Sequence, residues 1–211
     1  MRWAGRCRER DRLRYVSSHN DLARMLIEAG ENAVHRGSEE GKHTILRGWP
    51  LSGKVPTSRS ISDHQRLRVF RADGFRCRYT GDLLVLPAYL RALSARWPEV
   101  VPYHPNWKSD ETHEAYWSHT ASLEHIDPVA IGGAEAEGNW ITTSMARNQV
   151  RSRYSLEALG WRVQPRHPLK DWDGGLEAFL AILDAFPSLL VGPHGTYLSR
   201  WQKLVLLPDP G

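Results

Sequence analysis

The chain has 211 residues and a mass of 24.1 kDa; 41% of its residues are hydrophobic and 25% are charged. This length allows one domain of ordinary size or a compact core with extensions, and the composition excludes disordered and fibrous proteins. No apolar stretch reaches the ~18 residues of a membrane-spanning helix, and the first residues lack a secretory signal. We therefore expect a cytoplasmic protein without a membrane partner.

Positive charge is concentrated toward the start of the chain. Residues 1–80 hold 17 Lys and Arg against 9 Asp and Glu, whereas residues 81–211 hold 11 against 15. Six arginines fall within the first 14 residues. A second group of arginines follows at Arg66, Arg68, Arg71, Arg76 and Arg78. Because the planar guanidinium fork suits phosphate recognition, the pattern favours a nucleic-acid partner, with solubilising surface charge as the alternative.

The first half of the chain is predicted to be mainly helical. Apolar residues recur at helical spacing in three segments, and a stretch rich in Gly, Ser, Thr and Pro interrupts them. Residues 99–120, rich in His, Pro, Trp and Tyr, show no period and are predicted to form an insertion. The predicted elements are a helix over 21–33, a loop or linker over 36–60, a helix over 63–72 capped by Ser62, and a helix over 87–97.

The second half begins with two short predicted strands. Their apolar segments, 122–126 and 139–142, are separated by a loop that contains three glycines. Residues after Pro187 carry a mixed and weakly informative pattern. The predicted helices are 145–153 with Ser144 as its N-cap, a short helix between Ser155 and Gly160, and a core-covering helix over 176–186.

The most informative segment spans the two strands and the helix after them. It reads Leu123-Glu124-His125-Ile126-Asp127-Pro128, then Gly132-Gly133, then Gly138-Asn139-Trp140, then Ala146-Arg147-Asn148-Gln149-Val150-Arg151. Asn139 lies 14 positions beyond His125, and Asn148 lies 23 beyond it. In order and spacing this segment resembles the signature of the HNH endonucleases, over about residues 65–155. Residues 102–108, 111–113, 139–145 and 172–174 are similar to a bacterial HNH subgroup with the same insertion.

This resemblance implies an α+β fold with a ββα-metal (His-Me finger) HNH core and mainly helical N- and C-terminal extensions. The implied domains are a basic, partly helical extension over 1–60, a nuclease core over 61–160 and a helical extension over 161–211 that packs on the core. The insertion would occupy about residues 85–120 of that core. The implied activity is metal-dependent hydrolysis of phosphodiester bonds in double-stranded DNA.

The resemblance also implies the roles of four residues. His125 would be the general base, because a neutral imidazole is available near pH 7. Glu124 and Asn148 would supply oxygen ligands to one Mg²⁺ or Mn²⁺ ion. Asn139 would fix the loop that keeps base and metal in register. Since adjacent strand residues point to opposite faces, Glu124 and His125 can face one ion only if the strand bends or the phosphate lies at its edge.

Arginines near this segment are expected to hold the substrate. Arg147 and Arg151 are four positions apart and share a helix face, and Arg76 and Arg78 belong to the second basic group. We expect all four to contact nucleic-acid phosphates. The basic N-terminal third would hold the duplex, so that binding is sensitive to salt.

The sequence departs from the family at the zinc-binding positions. Many HNH proteins carry two Cys-x-x-Cys pairs, which here read Cys77-Arg78-Tyr79-Thr80 and Ser144-Met145-Ala146-Arg147. Three of the four ligands are missing, so we expect no structural zinc ion.

Two alternatives to the DNA endonuclease stay open. The chain could be a DNA-binding module with an inactive nuclease site, or a nuclease directed at RNA. A homodimer would provide two active sites for double-strand cleavage, but nothing in the sequence requires one. Target specificity and biological role are also left open.

Overall fold

The computed structural model describes residues 19–48, 61–129, 132–152 and 154–208. The chain forms two compact units, residues 1–58 and 59–211. The fold is α+β, with helices and one two-stranded antiparallel sheet, as the sequence predicts. The arginines of the first 14 residues lie outside the described residues. In the described part of the chain, no helix combines the length and the apolar character needed to cross a bilayer.

The first unit contains a helical hairpin. Helix α1 (His19–Arg36) and helix α2 (Ser38–Gly48) are joined at Gly37, whose φ of 97° lies in the left-handed region that glycine tolerates. The helix predicted over 21–33 is confirmed and is longer than expected. The loop predicted over 36–60 is wrong where α2 forms, and residues 49–60 of that prediction lie outside the described residues.

Close packing explains why α2 forms despite its weak sequence signal. A Cβ atom at Gly41 would lie 2.6 Å from the Ala29 carbonyl oxygen and 2.7 Å from the Ala33 Cβ, so the glycine permits the two helices to approach. The Asn32 amide donates a hydrogen bond of 3.0 Å to the Thr44 hydroxyl. Glycine and threonine weaken a helix intrinsically, but here both serve contacts with α1.

The second unit carries the sheet and the remaining helices. Its elements are α3 (Asp63–Ala72), α4 (Pro87–Arg96), α5 (Ala115–Ser118), β1 (Ala121–His125), β2 (Trp140–Ser144), α6 (Met145–Arg151), α7 (Leu156–Leu159), α8 (Leu176–Ala185) and α9 (Gly195–Leu206). The predicted helices and strands of this region are confirmed to within a few residues. Helix α9, for which the sequence carried little signal, is an addition.

Local capping explains the accurate boundaries. The Ser62 hydroxyl accepts a hydrogen bond from the Gln65 N–H, and the Gln65 side chain accepts one from the Ser62 N–H, which completes a capping box at the start of α3. The Ser144 hydroxyl accepts the Arg147 N–H at the start of α6. Ser155 opens α7, and Gly160 ends it in the left-handed conformation.

The sheet places the segment that carries the Glu124-His125 motif against two helices. Strands β1 and β2 pair antiparallel, with His125 opposite Trp140 at one end and Ala121 opposite Ser144 at the other. Helices α3 and α6 both pack on the two strands. All five residues of β2 are buried, so this strand is predominantly a core element.

A buried carboxylate joins α3 to β2. Asp73, fully buried just after α3, accepts the Thr142 N–H at 2.8 Å through Oδ2. Its Oδ1 accepts hydrogen bonds from Arg78 Nη1 at 2.6 Å and from Arg166 Nε at 3.2 Å. Because the carboxylate is paired and hydrogen-bonded on both oxygens, it holds the sheet at a defined position relative to α3.

One hydrophobic core extends through the second unit. Helices α8 and α9 pack against α4, and their buried residues join those of α3 and the strands in one cluster. The side chains of α9 that face this core recur at helical spacing: Leu198, Trp201 and Val205. Residues 161–211 are therefore part of the same compact unit as the sheet.

Candidate active site

A cavity of about 920 Å³ in the second unit is lined by three of the four residues predicted to do the chemistry. Glu124 and His125 reach it from the end of β1, and Asn148 reaches it from α6. These residues are separated by up to 24 positions in the chain. The strand–strand–helix arrangement brings them together because α6 packs on β1 directly after β2.

Glu124 resolves the predicted conflict between adjacent strand residues. Its Oε1 accepts the backbone N–H of the next residue, His125, at 2.9 Å, so the side chain folds onto the backbone of its own strand. His125 is the last residue of β1, after which the backbone bends. The two neighbouring side chains can therefore line the same cavity although a regular strand would separate them.

The Glu124 carboxylate is buried, which is unusual for a charged side chain. Only 5% of the residue is exposed, and Oε2 is buried without a hydrogen-bond partner in the part of the chain that the structure describes. Burial raises the pKa of Glu124 to about 7, against weaker opposing effects of the His125 N–H and the Arg151 charge. A buried carboxylate oxygen without a partner is unfavourable unless a proton or a cation satisfies it.

His125 has two neighbours that compete for one ring nitrogen. Its Nε2 lies 3.0 Å from Glu135 Oε1 and 3.1 Å from Trp140 Nε1. The indole N–H can donate only to an unprotonated Nε2, whereas the carboxylate can accept only from a protonated one. Nδ1 makes no hydrogen bond to the described residues. In one tautomer the imidazole donates to Glu135 on the β1–β2 loop, and in the other it accepts the N–H of Trp140 on β2. In both cases a hydrogen bond holds the ring in place.

Asn148 presents its amide oxygen away from the sheet. Its Nδ2 donates to the Leu123 carbonyl oxygen at 2.8 Å and to the Ser122 hydroxyl at 2.7 Å. Because a carbonyl oxygen can only accept, these contacts fix the orientation of the amide. Oδ1 accepts no hydrogen bond from the described residues, and it remains available as an oxygen ligand.

Asn139 fixes the loop between the strands. Its Oδ1 accepts the Asp127 N–H at 2.8 Å, and its Nδ2 donates to the carbonyl oxygens of Asp127 at 2.9 Å and Ala134 at 2.8 Å. A Cβ atom at Gly133 would lie 1.8 Å from the Asp127 carbonyl oxygen, so this tight loop requires glycine there. The sequence predicts that Asn139 fixes this loop, and its side chain makes such contacts. Asn139 is not among the residues that line the cavity.

Arg151 does not have the position expected of a phosphate-binding residue. It is fully buried, and its Nη2 donates to the Ile126 carbonyl oxygen at 2.6 Å. Its Nε and Nη1 are buried, and neither has a hydrogen-bond partner within the described ranges. The guanidinium is thus an internal cation near Glu124, and the prediction that it contacts DNA directly is not supported by this geometry.

Two further arginines are also occupied internally. Arg78 donates to the Asp73 carboxylate and to the Gln164 carbonyl oxygen, the latter at 2.7 Å, and Arg76 donates to the Gly81 carbonyl oxygen at 3.1 Å. These contacts occupy part of each guanidinium group, and the binding of phosphate by Arg76 and Arg78 stays a prediction. Arg147 is half-buried, with its guanidinium 5.5 Å from the centre of the Trp161 ring.

The positions that hold zinc in many HNH proteins carry other contacts here. The Cys77 thiol is buried 3.4 Å from the Thr143 hydroxyl. Ser144 and Arg147 are joined by the hydrogen bond that caps α6. The absence of a structural zinc ion stays a prediction.

Sequence reasoning missed Glu135 as a neighbour of His125. Glu135 lies in a loop that also contains Glu137, and nothing in its local pattern distinguishes the two. In the structure Glu137 pairs instead with Arg68. Only the fold of the loop, which Asn139 and Gly133 determine, shows which carboxylate reaches the imidazole.

No protein-family model, no curated protein and no solved structure matches this chain. Within the described ranges, no three His, Cys, Asp or Glu side chains form a metal-binding group. The oxygen donors that line the cavity are the Glu124 carboxylate and the Asn148 amide oxygen, and an asparagine is not one of those four residue types. Evidence for the function therefore comes from the geometry of these donors.

Proposed function

We propose that the chain is a metal-dependent HNH endonuclease that hydrolyses phosphodiester bonds in double-stranded DNA, with β1, β2 and α6 as its ββα-metal core. The observation that carries this proposal is the unpartnered, buried Oε2 of Glu124 in one cavity with His125 and Asn148. A carboxylate, an amide oxygen and an imidazole are the groups that single-metal phosphodiester hydrolysis requires.

Glu124 and Asn148 are the residues that would hold the ion. Glu124 Oε2 and Asn148 Oδ1 are hard oxygen atoms without hydrogen-bond partners among the described residues, which suits Mg²⁺ or Mn²⁺ and leaves the remaining ligand positions to water and a phosphate oxygen. When bound, the ion supplies positive charge that stabilises the developing charge on the phosphate and on the leaving oxygen. The donor set thus fits the cofactor expected from the sequence.

His125 would act as the general base through Nδ1. In the tautomer that donates from Nε2 to Glu135, rather than the one that accepts the Trp140 N–H, the Nδ1 lone pair can accept a proton from the attacking water. The water oxygen forms a bond to phosphorus, the bond from phosphorus to the leaving nucleoside oxygen breaks, and that oxygen takes a proton from solvent. The Glu135 carboxylate then stabilises the imidazolium.

Contact with DNA phosphates requires arginine side chains that remain accessible at the surface. Arg66 is exposed and has no partner among the described residues, and Arg147 keeps part of its side chain at the surface. These two arginines, together with the basic residues of the N-terminal region, are our candidates for phosphate contacts.

The test is nicking of supercoiled plasmid by the purified chain with Mg²⁺ or Mn²⁺. We expect nicking by the wild type, loss of nicking in excess EDTA, and loss in His125→Ala but not in His119→Ala, which removes an exposed histidine from the same unit. Binding of plasmid without nicking would instead indicate a DNA-binding module. Cleavage of matched RNA but not DNA would indicate an RNA-directed nuclease.

A further inference from the structure

The cavity extends beyond the three catalytic side chains. Its other walls come from α3, α9, and the insertion before β1, and contain two aromatic side chains that are half-buried, Trp107 and Tyr197. None of these side chains takes part in the chemistry proposed above. A volume of about 920 Å³ is at the upper end of the ~300–1,000 Å³ typical of pockets for small organic groups. The ion and one phosphate group therefore leave much of the space unused.

Two polar groups in these walls have no hydrogen-bond partner among the residues that the structure describes. Thr120 is 2% exposed and its hydroxyl is buried without a hydrogen bond, and Trp201 is 3% exposed with an unpartnered indole N–H. Both residues line the cavity. Because an unsatisfied buried hydroxyl or N–H is costly, a polar ligand that reaches these groups from the cavity would relieve that cost.

The charge of the walls favours the neutral part of a nucleotide. Arg200 pairs with Asp63 at 2.9 Å, so these two charges offset each other. Arg66, on the same helix as Asp63, is the cation of this wall that has no partner among the residues described. One free guanidinium suits a single backbone phosphate, whereas aromatic faces with neutral donors and acceptors suit a nucleobase.

We propose that this part of the cavity is a subsite for one unpaired nucleotide next to the scissile phosphate. The base would stack on Trp107, since guanidinium groups of Arg91 and Arg200 already lie over the Tyr197 ring, and it would form hydrogen bonds with Thr120 and Trp201. A base inside an intact duplex cannot reach such a pocket without leaving the stack, so the substrate carries an extrahelical or single-stranded nucleotide at the cleavage point. This inference rests on the proposed function, since it names the substrate class of the same site.

Binding measured without metal separates this inference from catalysis. Fluorescence anisotropy in EDTA would compare three labelled substrates of the same sequence: an intact duplex, a duplex with one bulged nucleotide, and a single strand. We expect the bulged duplex or the single strand to bind about tenfold more tightly than the intact duplex, from the stacking of one base. Whichever of the bulged duplex and the single strand binds more tightly shows whether the unpaired nucleotide comes from a bulge or from single-stranded DNA.

Two variants connect the preference to the cavity. Thr120→Val removes the unpartnered hydroxyl at similar size, and Trp201→Phe removes the indole N–H; we expect each to reduce the preference for unpaired substrate by about threefold or more. Thermal unfolding verifies that each variant is folded, and Thr120→Val should fold even if Trp201→Phe does not. Equal binding of all three substrates, or a preference that both folded variants retain, would overturn the inference.

The two proposals fail in different ways. Nicking of intact plasmid with no preference for unpaired substrate would support the endonuclease and overturn the subsite. Cavity-dependent binding of unpaired substrate without cleavage in Mg²⁺ or Mn²⁺ would support the subsite and contradict the endonuclease.

Discussion

Replacement of Glu124 by glutamine should stabilise the metal-free protein while abolishing the cleavage activity that we propose. The carboxylate is buried and has one oxygen without a partner, and the pKa of about 7 compares with an ordinary value of 4.5. The raised pKa already includes the attraction of the Arg151 charge, so burial outweighs that attraction. A neutral amide of the same shape avoids the burial of charge and can still accept the His125 N–H.

The magnitude follows from the pKa difference. One pKa unit corresponds to about 1.4 kcal/mol, so the ionised carboxylate lowers the free energy of unfolding by about 3 kcal/mol at pH 8. Below pH 4.5 the carboxyl is protonated in both the folded and the unfolded state, and the effect vanishes. As pH rises from 4.5 to 7 only the unfolded state releases its proton readily, so the stability of the wild type declines relative to the variant over this range.

The assay is chemical denaturation in EDTA at pH 5 and pH 8, with Glu99→Gln as a control at an exposed glutamate. We expect Glu124→Gln to be more stable than the wild type by about 3 kcal/mol at pH 8 and by under about 1 kcal/mol at pH 5. Added Mg²⁺ should stabilise the wild type and not the variant, because binding to the folded state alone raises stability. A variant that is less stable than the wild type at pH 8 would refute the reasoning.

Three further substitutions separate structural from chemical roles. Asn139→Ala should lower the free energy of unfolding by about 3 kcal/mol, since three hydrogen bonds of the loop are lost, and denaturation would measure it; unchanged stability would contradict the loop-fixing role. Arg151→Ala should destabilise the fold by about 3 kcal/mol through a cavity and an unpaired Ile126 carbonyl. Its salt dependence of DNA binding should equal that of the wild type, and a shallower slope would show a phosphate contact after all. Glu135→Gln should reduce kcat about tenfold at unchanged KM in a plasmid assay. A change in KM alone would contradict the role of Glu135 in positioning His125.

Features fixed by local interactions were predictable from the sequence. The serines that cap α3, α6 and α7 each accept the backbone N–H three residues further along the chain, so Ser62, Ser144 and Ser155 marked the helix starts. The motif spacing likewise predicted that Glu124, His125 and Asn148 line one site. Neighbouring strands and the helix after them leave few alternatives for where these side chains meet.

Features fixed by tertiary contacts were not predictable. Helix α2 depends on the packing of Gly41 against α1, and the pattern of its own residues predicts a loop. The burial of Arg151 and the pairing of Arg78 with Asp73 could not be predicted from the sequence either. An arginine is expected at the surface unless its partner is known. Glu135 becomes a neighbour of His125 only after the loop has folded.

A crystal of the full chain soaked in Mn²⁺ tests the metal site most directly, since the anomalous signal of manganese locates the ion. We expect one peak within coordination distance of Glu124 Oε2 and Asn148 Oδ1, with His125 beside it and outside the coordination sphere. A peak elsewhere, or an ion bound in the cavity without contact to either oxygen, would contradict the proposed endonuclease site.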